Sequence, residues 1–129
     1  MKNPLIPISW GELFDKITIL QIKSEKILSP ASLKNIDREL KQLSLVFDKA
    51  FTENSLALKL AEELKEINFK LWDIEDRIRE KEKKKVFDNE FIQLARNVYI
   101  KNDQRSVIKR TINEAFGSEL IEEKSYSKY

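Results

Sequence analysis

The sequence has 129 residues, which is enough for one domain with its own core, and 41% of the residues are hydrophobic. Charged residues make up 36% of the chain, yet the net charge is only +2, so no global field favours nucleic acid or an anionic membrane. Cys and His are absent, which excludes disulfides and Ser-His or Cys-His nucleophile pairs. The usual zinc ligands are missing too, so we expect no metal and no cofactor.

Turn-forming residues are scarce, because the chain has only two Gly and three Pro. This scarcity favours a few long elements and therefore an all-α fold, a single helical domain over residues 1–129. No apolar run is long enough for a membrane span. The first residues are too short an apolar stretch, and too broken by proline, for a secretory signal, so we expect a cytoplasmic protein.

The first helix is predicted over residues 9–28. Ser9-Trp10-Gly11-Glu12 matches a capping box, in which the Ser hydroxyl accepts from a free amide and the Glu reaches back. The apolar residues that follow fall on more than one side of the helix, since Ile19 and Ile22 leave the main stripe. We therefore expect this helix to be buried on more than one face.

The next two helices, over residues 30–51 and 55–85, each carry an apolar seam with steps of three and four. The seam of the second helix comprises Leu33, Ile36, Leu40, Leu43, Phe47 and Ala50, and that of the third comprises Ala57, Leu60, Leu64, Ile67, Leu71, Ile74 and Ile78. Two such helices joined by a short turn predict an antiparallel coiled-coil hairpin. In that pairing Glu39 lies opposite Lys70.

Several large apolar residues project away from these seams, most clearly Leu58, Phe69 and Trp72 on the third helix. Burying a large side chain contributes about 1.5–3 kcal/mol, so these residues should be covered. The first helix can cover one side only. The other side is covered either by the C-terminal segment or by a second copy, and we favour a homodimer with Leu58, Phe69 and Trp72 at its interface.

The rest of the chain predicts a solvated helix end, two shorter helices and a tail. The run Lys83-Lys84-Lys85 has no interleaved aromatic residues to stack bases, which argues against nucleic-acid binding. We expect the third helix to end by Val86-Phe87 and Asp88 to cap the next helix. A fourth helix follows over residues 89–101, and a fifth over 103–116 begins at a cap near Asn102-Asp103. It ends at Gly117, and a polar tail covers residues 118–129.

The most suggestive polar cluster is a stripe on the fifth helix: Asn102, Arg105, Lys109 and Asn113, spaced by three, four and four residues. The stripe borders the apolar face, where a groove could hold an anionic or polyhydroxy ligand against the Arg and Lys donors. The simpler alternative is that Asn102 or Asp103 caps the helix and the other residues form a solvated face.

A second cluster lies in the first helix, where Glu12, Asp15, Lys16 and Thr18 stand among apolar neighbours. A carboxylate beside a lysine in a partly buried place could act as an acid/base pair. A structural ion pair, or an Asp that favours the first turns of a helix, explains the cluster equally simply, and we favour that interpretation.

Two segments resemble a family. They are Pro7-Ile8-Ser9-x-Gly11-Glu12-Leu13-x-Asp15-Lys16-Ile17-Thr18-Ile19-Leu20 and, near the other end, Asn102-Asp103-x-Arg105 through Lys109, Ile112-Asn113 and Gly117-Ser118 to Glu122-Glu123-Lys124-Ser125-Tyr126. They are similar to a small family of bacterial helical proteins with no known activity, some encoded near genes for surface-polysaccharide or sugar-transfer enzymes. Trp10 and Gln21 depart from the family pattern, which has a smaller residue and a Glu there.

The resemblance implies that the polar ends, rather than the hairpin, distinguish the family. It favours a ligand-binding site where Asp15 and Lys16 meet Asn102, Asp103, Arg105, Lys109 and Asn113.

Two classes of function are open. The favoured one is a non-catalytic, homodimeric helical module that binds a partner protein or a small polar, anionic or sugar-like ligand, because the chain is poor in catalytic side chains. The alternative is a small enzyme for a phosphorylated or sugar-like substrate, in which Arg105 and Lys109 hold the anion and Asp15 or a C-terminal Glu is the base.

Overall fold

The computed structural model describes residues 1–129 and contains four helices and no strand. These are α1 (Trp10–Lys26), α2 (Pro30–Ala50), α3 (Ser55–Lys83) and α4 (Asn89–Ala115). The all-α prediction is thereby confirmed. None of the four helices combines the length and the apolar character that a membrane crossing requires.

Each helix begins at a polar side chain that caps its first turn. The Ser9 hydroxyl accepts a hydrogen bond from the amide of Glu12, the Asn54 side chain accepts from Ala57, and the Asp88 carboxylate accepts from Phe91. Ser29 does the same for α2, with Pro30 in its first turn. These caps explain why the predicted starts of the first four helices lie within one residue of the observed ones.

The prediction of separate fourth and fifth helices is wrong, because α4 runs without a break from Asn89 to Ala115. Asn102 and Asp103 do not cap a new helix. The Asn102 side-chain oxygen accepts from Arg105, and the Asp103 carboxylate accepts from the Tyr129 hydroxyl. The Asn102 contact lies within α4, one turn along the helix, and the Asp103 contact reaches the C-terminal tail, so neither side chain caps a helix start and the backbone stays helical.

The predicted pairing of the second and third helices is also wrong. No Cα atom of α2 lies within 8 Å of one in α3; instead α1 contacts α2, α3 and α4, and α3 pairs with α4. The apolar seams of α2 and α3 both face inward but against different partners, since α1 has enough apolar faces to lie between them. The ion pairs follow this arrangement: Glu39 pairs with Lys16, and Lys70 pairs with Glu66.

The densest part of the core lies where the turn between α2 and α3 meets α1 and the end of α4. Phe14, Phe51 and Leu64 are buried there together with Ile112. The Phe14 and Phe51 rings pack edge to face, with their centroids 5.3 Å apart. This cluster fixes α1 against α4, and the candidate site lies next to it.

The opposite end of the molecule is thinly packed, because no residue from 75 to 93 is buried. There α3 and α4 contact each other, and Arg77 and Lys81 of α3 form ion pairs with Glu90 of α4. The α3–α4 hairpin thus projects from the core.

The three residues predicted to share an interface lie in three different settings. Leu58 is 57% exposed at a groove between α2 and α3, and Phe69 is 40% exposed with the Lys26 ammonium 4.7 Å from its ring. Trp72 is half-buried in the wall of a cleft between α1, α3 and α4. Trp72 therefore belongs to a concave site rather than to a flat surface shared with the other two.

Candidate functional site

A buried carboxylate on α1 is the centre of the polar site. Asp15 is 3% exposed, and its carboxylate accepts hydrogen bonds from Arg105 Nε at 2.9 Å and from Asn68 Nδ2 at 2.9 Å. Arg105 Nη2 donates to the second carboxylate oxygen, so the Arg105 contact is bidentate. Three helices are therefore joined through one side chain.

Lys109 of α4 forms the second half of the cluster. Its ammonium donates to Glu12 Oε1 at 2.6 Å and to Glu122 Oε2 at 3.2 Å, and it lies 3.9 Å from Asp15 Oδ2. Burial lowers the pKa of Lys109, but its hydrogen bonds to Glu12 and Glu122 and the negative charges of Asp15 and Glu12 outweigh this, so the pKa is raised. Lys109 is a charged, fully paired lysine.

The Glu12 contact replaces the predicted capping box. Only the Ser9 half of that motif forms, since the Glu12 carboxylate reaches Lys109 instead of the helix start.

A close backbone approach locks α1 to the end of α4. The Gly11 amide donates to Asn113 Oδ1 at 2.7 Å, and a Cβ at Gly11 would lie 2.8 Å from the Lys109 carbonyl oxygen. The Trp10 amide donates to the Ser118 hydroxyl, which in turn donates to the same Asn113 oxygen. Glycine is thus required here for space, and the contact fixes the register of Asp15 against α4.

Helical spacing explains why these groups meet. The stripe on α4 turns one face toward α1, and Gly11 and Asp15, one turn apart on α1, face it. The structure brings together five of the seven residues of the predicted ligand site: Asp15, Asn102, Arg105, Lys109 and Asn113.

The other two predicted site residues lie elsewhere. Lys16 is exposed and pairs with Glu39 at 3.5 Å, because neighbouring residues on a helix point about 100° apart. Asp103 is exposed on the outer side of α4, where it accepts from the Tyr129 hydroxyl at 2.6 Å.

The predicted ligand site did not include several members of the cluster: Gly11, Glu12, Thr18, Asn68, Ser118 and Glu122, of which Glu12 and Thr18 belong to the second predicted cluster, on the first helix. Asn68 could have been predicted from the sequence, because an amide at the edge of an otherwise apolar seam requires hydrogen-bond partners when it is buried. Its Nδ2 donates to Asp15 and to the Thr18 hydroxyl. Glu122 was predicted only as one of the C-terminal carboxylates of the enzyme alternative, and its pairing with Lys109 could not be predicted because the path of the tail depends on the whole fold.

Both cations of the cluster are paired within the protein. Three carboxylates, those of Glu12, Asp15 and Glu122, face the two cations Arg105 and Lys109. All buried side-chain polar atoms of the chain have partners. Neither cation is left unpaired for an anionic ligand.

An open cleft of about 430 Å³ adjoins the cluster on the α3 side. We call it the Trp72 cleft; its lining includes Asn68, Trp72, Glu75, Asp76, Asn102 and Arg105. Its volume falls within the range of small-molecule sites, about 300–1,000 Å³. It combines one aromatic wall with a small number of amide, carboxylate and guanidinium groups.

Hydrogen-bonding capacity remains at the floor of this cleft. Arg105 uses three N–H groups on Asp15 and Asn102, and its side chain is 27% exposed, so its remaining N–H groups can donate to a ligand. Asn68 uses its NH₂ group on Asp15 and Thr18; its amide oxygen makes no hydrogen bond within the protein and is not among the fully buried polar atoms, so it can accept from a ligand in the cleft. The cleft thus offers donors and acceptors in fixed positions.

The fold and the site define a class of protein: a four-helix bundle whose first, third and fourth helices are joined by a buried ion-pair cluster beside an open polar cleft. The chain belongs to the family described as Family of unknown function (DUF6165), whose model matches residues 4–129. This match agrees with the expected membership of a family without an assigned activity. No curated protein and no solved structure showed significant similarity to the chain.

Proposed function

We propose that the protein is a non-catalytic helical module that binds a small polyhydroxy, sugar-like ligand in the Trp72 cleft. The observation that carries this proposal is the composition of the cleft. It places the Trp72 ring beside the amides of Asn68 and Asn102 and beside the partly exposed Arg105 guanidinium. An aromatic wall with a few convergent polar groups is typical of sites for small molecules that have both an apolar face and hydroxyl groups.

The charges of the cleft favour a neutral ligand over a phosphorylated one. Arg105 is bound to Asp15, and Arg79, at the rim, pairs with Glu75 at 3.2 Å. Asp76 adds a carboxylate to the lining. A phosphate would meet these carboxylates and would have to displace existing ion pairs, whereas hydroxyl groups can donate to the carboxylates and accept from Arg105.

The enzyme alternative lacks a comparable supporting observation. Asp15, its candidate base, accepts hydrogen bonds on both carboxylate oxygens and is buried behind Arg105. Glu122, a C-terminal Glu, is held by Lys109. Both carboxylates therefore have a structural task, and the geometry supports binding better than acid/base chemistry.

Calorimetric titration of the full chain tests this proposal. The probes are neutral hexoses (glucose, galactose and mannose) and glucose 6-phosphate. We expect at least one hexose to bind more tightly than the phosphate, and Trp72→Ala to weaken that binding by tenfold or more. Glu63→Gln, an exposed change on the same helix outside the cleft, is the matched control and should leave binding unchanged.

Three outcomes count against the proposal. If no hexose binds, the sugar-like ligand is wrong. If the phosphate binds more tightly than every hexose, the ligand is anionic. If Trp72→Ala and Glu63→Gln bind hexose equally well, the site lies elsewhere.

We propose further that two copies of the chain associate through the groove between α2 and α3. Its supporting feature is the incomplete cover of α2, which packs on α1 alone and has only Ile36 buried. The groove, of about 250 Å³, has Phe47 on one wall and the exposed Leu58 on the other. A second copy suits this groove because each chain has both the half-covered helix α2 and the groove. Across a two-fold axis, α2 of each copy can therefore be buried against the groove of the other.

Light scattering coupled to size-exclusion chromatography tests the dimer. We expect twice the chain mass for the unaltered protein and a monomer for Leu58→Glu, with helicity unchanged by circular dichroism. Lys59→Glu, an exposed neighbour, is the control and should stay dimeric. A monomeric unaltered protein at tens of micromolar would refute this part of the proposal.

A further inference from the structure

The turn between α3 and α4 forms an exposed tip that the proposed function does not use. We call Lys83-Lys84-Lys85-Val86-Phe87 the hairpin tip. α3 ends there in a Schellman motif: the Val86 amide donates to the Lys81 carbonyl at 3.0 Å and the Lys85 amide donates to the Glu82 carbonyl at 3.0 Å. Lys85 takes the left-handed conformation, with φ of 57°, where glycine is usual. The tip is therefore a well-defined turn.

The tip presents two apolar side chains to solvent at its apex. Val86 is 39% exposed and Phe87 is 56% exposed. Phe87 is also held in place, since the edge of one ring meets the face of the other in its contact with Phe91, with centroids 5.2 Å apart. A ring that is fixed yet exposed loses little conformational freedom when it enters an apolar phase.

The three lysines of the tip directly precede these apolar side chains, and all three are exposed. Lys84 and Lys85 contact Glu80 at 3.8 Å and Glu82 at 3.1 Å, and Lys83 has no ion pair. Exposed pairs of this kind are weak, so the ammonium groups can turn to a stronger anionic surface. The hairpin tip itself contains three basic residues and no acidic one.

We propose that the hairpin tip docks on the surface of an anionic lipid bilayer. Phe87 and Val86 would enter the headgroup region while Lys83, Lys84 and Lys85 lie at the level of the lipid phosphates. Each basic residue near an anionic membrane surface strengthens binding, and an aromatic ring is well suited to the interface. Nucleic acid fits less well, because single-strand binding uses several stacking aromatic rings along a basic groove. The tip offers one aromatic ring and one short basic run.

Co-sedimentation of the full chain with vesicles tests this inference. We expect binding to mixed phosphatidylcholine and phosphatidylglycerol vesicles, little binding to phosphatidylcholine alone, and a loss of binding as salt increases. The triple change Lys83→Gln, Lys84→Gln, Lys85→Gln should weaken binding by about 100-fold, since each charge contributes roughly 1 kcal/mol near the surface. Phe87→Ser should weaken it without changing the net charge.

A matched triple change separates the tip from net charge. Lys34→Gln, Lys41→Gln and Lys59→Gln remove three exposed lysines from α2 and α3 and should leave vesicle binding within about twofold, because only the tip touches the lipid. Lys85→Gly separates vesicle binding from stability. Glycine adopts the left-handed conformation without strain, so this change should raise the melting temperature, yet the loss of one positive charge should weaken vesicle binding.

Four results would overturn the inference: no binding to the anionic vesicles, equal binding to both kinds of vesicle, equal losses in the two triple variants, or tip-dependent binding of single-stranded DNA without binding of vesicles. None of these depends on whether a sugar binds in the Trp72 cleft.

Discussion

Asp15 is the residue on which the polar site depends. It is buried, and it connects Arg105 of α4 with Asn68 of α3 through hydrogen bonds. Removing one member of such a pair leaves an uncompensated charge behind, whereas the pair itself adds little net stability. The bidentate geometry therefore matters more for the relative placement of the helices than for the free energy of folding.

Asp15→Asn should destabilise the protein by about 3 kcal/mol, because Arg105 and Lys109 would then lose a shared counter-charge. Arg105 is partly exposed, which places the expected value at the low end of the range for buried pairs. Denaturant unfolding followed by circular dichroism measures it. Lys16→Gln, the exposed neighbour, is the control and should change the stability by less than about 0.5 kcal/mol.

A double variant refines this test. If Asp15→Asn combined with Arg105→Gln costs as much as the sum of the two single changes, the two side chains do not interact, which would contradict the structure.

At the scale of elements, the C-terminal tail is a segment without regular secondary structure that polar contacts hold along α4. In the tail, Glu122 accepts a hydrogen bond from Lys109, and Glu123 accepts one from Arg110. The Tyr129 hydroxyl donates to Asp103. All residues from 119 onward are exposed, so little apolar burial adds to these contacts. The tail should therefore respond to pH more readily than the core does.

Acid should release the tail before the bundle unfolds. The hydrogen bond from Lys109 is the main cause that lowers the pKa of Glu122 below its usual 4.5. A lowered pKa in the folded protein means that the contact stabilises above pH 4.5 and is lost as the pH falls through the lower folded value. The raised pKa of Lys109 keeps its charge over this whole range.

Backbone amide resonances of residues 119–124 should follow this transition in NMR spectra recorded from pH 6 downward. Glu122→Gln should remove the transition while the core resonances stay unchanged. A transition that persists in Glu122→Gln would assign the pH dependence to another group.

The helices themselves were largely predictable from the sequence, but their partners were not. Caps at Ser9, Ser29 and Asp88 act within one turn, so a sequence reveals them. An apolar seam shows that a helix is buried but does not show against what, and the seams of α2 and α3 proved to face α1 and α4 rather than each other. The break expected at Asn102-Asp103 is absent because these side chains make contacts other than caps: Asn102 accepts from Arg105 one turn along α4, and Asp103 accepts from Tyr129 of the tail.

The candidate site was predictable to the same extent. Spacing along one helix placed Arg105 and Lys109 on a common face, and that face does meet Asp15. Spacing could not show that the cations are neutralised, because Glu122 comes from a tail whose path depends on the whole fold. The expected anion site is therefore, in the structure, a cluster whose cations are already paired with carboxylates, with a cleft beside it.

At the scale of the whole molecule, one end is dense and the other is open. The aromatic core and the Gly11 contact fix α1 against α4, while the α3–α4 hairpin extends with no buried residue between 75 and 93. The Trp72 cleft lies between these regions, with its floor on the ion-pair cluster and one wall on the hairpin. A ligand bound there would contact α1, α3 and α4 together and should stiffen the hairpin.

The two tryptophans allow the central claim to be tested in one spectrum. Trp10 packs against Phe51, with centroids 5.0 Å apart, at the dense end of the bundle, and Trp72 lines the cleft. Each indole N–H gives its own resonance in a nitrogen–proton correlation spectrum. Titration with neutral hexoses is predicted to move the Trp72 resonance progressively and to leave that of Trp10 in place. A shift of Trp10 alone, or no shift of either resonance at saturating hexose, would contradict the assignment of the cleft as the binding site.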